Sequence, residues 1–333
     1  MKRVARAQGL MMLTVVLAVL LAGCAPGARV SVAQSQLPRV SSLNVPDADL
    51  QGLVAGNSNF AFDLYQALRA EQGNLFFSPY SISTALAMTY VGARGETAQQ
   101  MADTLHFTLP QDRLHPAFDA LDRALMRKSA PTGTTDEEGE FRLHVANSLW
   151  GQQDYTFLPQ FLDPLAQHYG AGLRLVDFAR APEPARLAIN QWVSEQTESK
   201  INDVIPEGSI TADTRLVLAS AIYFNANWRF PFLESDTYSA TFHLLDGGQA
   251  RVPMMSRPLP EAIISSAEAL DYEQGTGYQA VELLYDGERM SMMLIVPDSG
   301  NFADFESTLN WEQVDSILAS MEPACVQIVM PKF

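Results

Sequence analysis

"FFSPYSISTALAMTYVGARG", residues Phe76 to Gly95, decides how the rest of the chain is read. Ser78 stands as an N-cap, with Pro79 at the first helical position, where a missing N–H is harmless. Ile82, Ala85, Leu86, Met88 and Val91, together with the tolerant Ala87 and Tyr90, occupy every side of the helical wheel, so the pattern offers water no polar face. Such a helix is expected to be enclosed, yet it carries hydroxyls where aliphatic side chains are usual. Gly92 and Gly95 end it, and Thr97 to Gln100 has the capping-box spacing of a following helix.

On the N-terminal side, Phe60, Leu64, Ala67 and Leu68 recur at helical spacing, predicting a surface helix capped by Asn57 or Ser58. From Ala25 to Pro46 there is no acidic residue and much Ser, Ala, Gln and Pro, the composition of a tether. Lys2, Arg3 and Arg6 precede an apolar run from Leu10 to Ala22 that is too short to span a bilayer comfortably, which reads as an export signal. Leu21-Ala22-Gly23-Cys24 resembles the lipobox of bacterial lipoproteins, in which cleavage precedes the cysteine and its sulfur is acylated. An ordinary signal cleavage site beside an unmodified cysteine is the alternative. The expected division is a signal peptide over 1–23, a flexible tether over 24–46 and a folded domain over 47–333, lipid-anchored at the bacterial cell envelope and facing periplasm or extracellular space.

The formal charge of −16 becomes −19 once the three cations of residues 1–23 are lost, which argues against a nucleic-acid partner. With Cys24 acylated, Cys325 has no cysteine partner, and burial in a strand is its expected fate.

Beyond the decisive helix, residues 130–140 read as a polar loop, and "FRLHVANSLWGQ" as a strand entering a partly buried sheet. Leu187, Ile189, Trp192, Val193 and Gln196 predict an amphipathic helix from about Glu183 to Glu198, lying across a surface. "TRLVLASAIYFNANW", centred on Ser220, has the near-continuous apolar character of an interior strand covered on both faces. Two apolar runs flank Asp286-Gly287, a hairpin signal. Helices gathered early, a long strand and then hairpins, without regular β-α alternation, give an α+β fold.

Catalytic signatures are missing: no G-x-S-x-G elbow, S-x-x-K, H-E-x-x-H or Walker loop occurs. The five histidines lack ligand spacing, so neither a metal nor a cofactor is expected. Asp286 and Glu288, like Asp136 to Glu138, read as solvated charges, and the methionines as core fillers. An enzyme is not expected.

"NLFFSPYSISTALAMTYVGARGETAQQM" resembles the second and third helices of the serpin family, and the likeness continues through "INQWVSEQTESKINDVI", "LVLASAIYFNANW", "YDGERMSMMLIVPD" and "VQIVMPKF". The resemblance covers about residues 48 to 333, in order. It implies helices packed on a large central sheet with smaller sheets beside it. It also implies inhibition of serine or cysteine proteases by a reactive loop that is cleaved as a substrate and then inserts as a new strand, dragging the acyl-linked protease with it. Ser78 and Ser81 match the family's shutter positions, where small hydroxyls can exchange hydrogen bonds as strands slide. Trp228 matches the breach tryptophan, and Asn190 the asparagine on the helix that lies over the sheet and yields during insertion. Plainer roles stand beside these: Ser78 as a simple cap, Trp228 as a packing residue. Ser220 departs from the family's usual shutter asparagine. The family pattern runs on past Phe333 through the reactive loop, so this chain is expected to lack that loop, to be inactive as it stands, and to be prone to strand exchange. A non-inhibitory binding or scaffold lipoprotein with the same architecture is the alternative.

Overall fold

The computed structural model describes residues 30–128, 141–258 and 269–333. Cys24, the signal segment and the loop read at 130–140 lie outside the described residues. In chain order the elements are β1 (Ser31–Ala33), α1 (Asp47–Leu68), α2 (Pro79–Tyr90), α3 (Gly95–Leu105), α4 (Gln111–Lys128), β2 (Arg142–Gln152), α5 (Pro159–Tyr169), β3 (Leu173–Val176), α6 (Pro182–Gln196) and β4 (Leu216–Asn225). There follow β5 (Tyr238–His243), β6 (Gln249–Arg257), β7 (Leu270–Gly275), β8 (Tyr278–Leu284), β9 (Ser291–Pro297), α7 (Phe302–Thr308), α8 (Trp311–Ser320), β10 (Glu322–Ala324) and β11 (Ile328–Pro331). The mixed α+β architecture expected from the pattern is the one observed.

Two compact units share this chain. The first, residues up to Val40 with Ala146–Ala221, is built on a sheet ordered β1-β3-β2-β4. β3 pairs β2 in parallel and β1 antiparallel, so Gly151, Leu175 and Ser31 lie at one level. The amphipathic helix α6 lays Ala185, Ile189, Trp192 and Val193 onto Trp150, Val176, Phe178, Ala219 and Ala221. Trp150 is 1% exposed, its indole N–H donates to Ser148 Oγ at 2.8 Å, and Trp192 meets it edge-on at 6.4 Å. The Arg174 guanidinium sits 5.3 Å from the centre of one ring and 5.7 Å from the other, a cation–π bracket.

The second unit, Ser41–Val145 with Ile222–Phe333, holds the four early helices and two sheets, ordered β10-β7-β8-β9 and β11-β6-β5. α1 packs on α2, α3, α4 and α8. At Gly56 a Cβ would stand 2.4 Å from the His106 carbonyl oxygen, so only glycine lets α1 approach the end of α3 so closely. Tyr90, Phe107 and Phe118 pack in series at 5.4 and 5.7 Å. Buried Asp49 receives Arg113, whose hydrogen bonds hold the carboxyl below its usual range. Burial, with Glu306 accepting the Tyr65 phenol proton at 2.5 Å, pushes that phenol up to about 12. The second sheet closes over Leu270, Val281 and Leu283.

Several local expectations hold. Ser78 caps α2 with Pro79 behind it, the 142–152 strand forms, and β8 and β9 pair antiparallel about Asp286-Gly287, where Gly287 has φ +79. Others are corrected. α1 begins at Asp47, placing Asn57 and Ser58 in mid-helix, because Leu53, Gly56 and Phe60 continue one buried face upstream and Asp47 and Asp49 suit the positive end of the helix. α3 starts at Gly95, so Thr97 is inside it and makes no cap. Ser31–Ala33, in the segment read as tether, pairs as an edge strand; Ser35 Oγ donates to Asp163 at 2.5 Å, and Val40 N–H to Gln167 O at 2.9 Å. Cys325 is exposed and lies between β10 and β11, outside any strand, since residues 325–327 carry the chain from one sheet to another.

Candidate functional site

The hydroxyls of α2 are the first group to place. Ser78, in extended backbone ahead of the helix, accepts from Ser81 N–H at 3.3 Å and donates to Ser81 Oγ at 3.1 Å. The two sequence-assigned shutter serines are therefore in direct contact. Thr84 and Thr89 donate back to the carbonyls of Tyr80 and Ala85 at 2.7 and 3.4 Å, the local alternative open to hydroxyls inside a helix. Fully buried Ser83 Oγ has no hydrogen-bond partner among the described residues. No residue from Phe77 to Val91 is fully exposed, but Pro79, Ile82, Leu86 and Thr89 form a half-buried stripe along the helix, so the expected enclosure holds on most of the surface and is corrected on that face; the hydroxyls are met chiefly by the helix's own first turns. The Ser78 cap alone is worth about 1 kcal/mol.

Ser220 sits on β4. Its neighbours Ala219 and Ala221 face the core under α6, and Ser220 is exposed on the other side. β4 ends its sheet, with Leu216 and Phe224 also exposed. The expectation of an interior strand covered on both faces is corrected: the face carrying Ala219 and Ala221 is covered and the face carrying Ser220 is not, and among the described residues β4 lies at the edge of its sheet.

Asn190, on the buried side of α6, clasps the segment that leaves the helix. Its Nδ2 donates to Asp203 Oδ1 and, at 3.0 Å, to Ile205 O, while its Oδ1 accepts from Ile205 N–H at 2.9 Å. One turn earlier Arg186 donates to Asp203 Oδ1 and Ile205 O, both at 2.7 Å, and to Glu183 at 2.8 Å. Sequence reasoning missed Arg186 and Asp203. Arg186 lies on the same face as Ile189 and Asn190 while Leu187, counted there as apolar packing, is exposed; a charged residue at core spacing was the available signal.

The Arg186 hydrogen bond holds the Glu183 carboxyl below its ordinary value of 4.5, against a smaller opposing effect of burial. Glu183 and Asp203 in turn hold Arg186 firmly protonated. A depressed carboxyl stabilises the fold above its ordinary value and loses that contribution as pH falls through the folded one. The urea midpoint should therefore decline as pH drops below 4.5, and Glu183→Gln should flatten that decline; an unchanged slope in the variant would show that the clasp carries no proton linkage.

Trp228 stacks on Tyr285 at 4.6 Å and 13°, bridges to it through the backbone, and meets Phe232 edge-on at 6.2 Å. Arg229 N–H donates to Leu284 O at 2.9 Å and Asp286 N–H to Asn227 O at 2.8 Å, joining the segment after β4 to the end of β8. The guanidinium groups of Arg229 and Arg257 each lie 4.9 Å from the centre of the Phe230 ring. Burial raises the Tyr285 phenol above its ordinary value. This is a packed aromatic junction, and it offers no nucleophile and base in contact.

Comparison with known proteins gives these geometries a lineage. Residues 55–333 match the family model described as Serpin (serine protease inhibitor). An uncharacterized serpin-like protein of Thermococcus kodakarensis is 36% identical over 299 residues, covering 90% of this chain and 66% of the relative. Leukocyte elastase inhibitor of Xenopus laevis is 36% identical over 293 residues, 85% of this chain and 73% of that protein. Among solved structures, ovalbumin from emu superposes with a TM-score of 0.74 at 26% identity, covering 84% of this chain and 73% of that one. The chain thus spans about two thirds to three quarters of the proteins it matches. A helix buried over most of its surface, a sheet overlaid by α6 and a motif order kept from residue 55 to residue 333 have one common source: this chain belongs to the serpin family.

Proposed function

We propose that this chain is part of a serpin-type protease inhibitor, held at a bacterial cell envelope by lipid on Cys24 and facing the periplasm or extracellular space. The observation that carries the inhibitory reading is its 36% identity to leukocyte elastase inhibitor across 85% of its length. The target class is a serine protease, or a cysteine protease, attacked as a suicide substrate; the protein itself catalyses no turnover. Ser78, Ser81 and Ser220 are assigned to easing strand separation, Trp228 to the point where the sheet opens, and Asn190 to the helix that must give way. Acyl chains at about 0.8 kcal/mol per buried CH₂ are sufficient to retain an acidic body at a membrane.

The test is incubation of the purified 333-residue chain, and of the chain joined to any coding sequence that continues beyond Phe333, with elastase-, chymotrypsin- and trypsin-like enzymes. The expected result for the continued chain is a complex that survives denaturing electrophoresis together with loss of peptidase activity. Cleavage without such a complex would support the non-inhibitory binding or scaffold reading in its place.

A further inference from the structure

Four chain segments meet at one end of the first sheet. Val30 enters β1 there, because Ser31 lies opposite Leu175, one residue before the end of β3. β2 ends there at Gln152, whose N–H donates to Arg215 O just before β4 at 3.0 Å. Gln153 N–H donates to Val176 O at 3.0 Å, closing the end of β3.

The loop between β2 and α5 presents Tyr155, 55% exposed, and Leu158, 64% exposed, and at the β1 edge of the same sheet Val30 and Val32 of the entering strand are exposed as well. Arg215 Nε donates to Tyr155 Oη at 3.1 Å, and its guanidinium lies 5.9 Å from that ring's centre. Charge here is balanced by pairing: Arg180 reaches Asp154 at 3.0 Å and Asp177 at 3.4 Å, while Gln152 lowers the Asp177 carboxyl by hydrogen bonding. Asp213 is exposed nearby, and Glu183, in the first turn of α6, is held by Arg186. In a chain of formal charge −16 the charges named at this end leave a single net negative charge, and the end carries an aromatic, two aliphatic types and three arginines.

The distance to the anchor selects the occupant. From Cys24 to Val30 there are six peptide links, at most about 22 Å when fully extended. With Cys24 acylated, the bilayer surface lies within that reach of Val30, whereas a tether running to Pro46 would have set no such limit. Amphipathic Tyr and Arg side chains with adjoining aliphatics are suited to the headgroup boundary.

We infer that this end of the sheet is the membrane-facing pole of its unit, with Tyr155 and Leu158 entering the lipid headgroup region. The inference rests on the lipid-anchor reading proposed above. To test it, the acylated protein is extracted from membranes in a Cys325→Ser background, which removes the exposed thiol. It is labelled with an environment-sensitive nitrobenzoxadiazole dye at Tyr155→Cys, Leu158→Cys or Lys200→Cys, and reconstituted into phosphatidylethanolamine–phosphatidylglycerol vesicles containing spin-labelled lipid. Lys200 is exposed beyond the far end of α6, which begins at this pole and is 15 residues long, about 22 Å.

Blue-shifted emission and quenching about two-fold stronger at positions 155 and 158 than at 200 is the expected result. Vesicle-bound protein in which all three probes behave alike overturns the docking inference and leaves the anchor standing. A chain that carries no acyl group and stays in the supernatant, like a Cys24→Ala control, overturns the anchor reading and the docking together.

Discussion

Trp150→Ala is expected to remove about 3–5 kcal/mol of stability, measured as a fall in the urea unfolding free energy. The indole is 1% exposed at the centre of the cluster formed by β2, β3, β4 and α6. Truncation opens a cavity that neighbours on a paired sheet cannot collapse to fill, which adds to the lost transfer free energy. It also strips Ser148 Oγ of its donor, Trp192 of its edge-on partner and Arg174 of one of its two rings. Since whole domains are stable by only about 5–15 kcal/mol, the variant should be marginal at room temperature. Trp150→Phe, which keeps most of the volume, should lose markedly less. A loss below about 1 kcal/mol for the alanine variant would mean that sheet and helix do not share one core.

Asn190→Ala is expected to lower stability by about 2 kcal/mol, because the Ile205 N–H loses its acceptor in a partly buried site. Arg186 continues to serve Ile205 O and Asp203, so the effect should be local before it is global. Hydrogen exchange at the Ile205 amide should quicken by about ten-fold or more while amides in β2 change in proportion to the global loss alone. Asn190→Asp should be worse than alanine, since it faces the Asp203 carboxylate with a second one and has no N–H to give. Equal acceleration throughout α6 and β4 would show that the clasp has no separate opening.

Local features were disclosed by the sequence more fully than distant pairings. The burial of α2 over most of its surface was legible from apolar residues on every side of a wheel, although Ile82 and Leu86 lie on the stripe left half-buried, and the β8–β9 hairpin was legible from a local turn signal. Both are properties of contiguous residues. The Asn190 clasp was half legible: its asparagine belonged to a quoted motif, but its partners Asp203 and Arg186 are chosen by where the chain after α6 returns, which no period records. The burial of β4 was misread for a related reason, as hydropathy reports the capacity of a strand to be covered and says nothing of whether both its faces are. β1 was hidden because Ser, Val and Ala in a polar, proline-bearing segment have tether composition, and three residues are too few for alternation to show. Cys325 was placed by residue type alone, and residue type does not reveal a crossover between sheets.

The crossed indoles of Trp150 and Trp192, 6.4 Å apart at 74°, have an optical consequence. Ring transitions that close interact, so the pair is expected to add a contribution to ultraviolet circular dichroism that neither ring gives alone. One ring is on the sheet and the other on the overlying helix, so that contribution is expected to fade whenever the two layers part. The protein thus carries its own spectroscopic gauge of that separation, needing no dye.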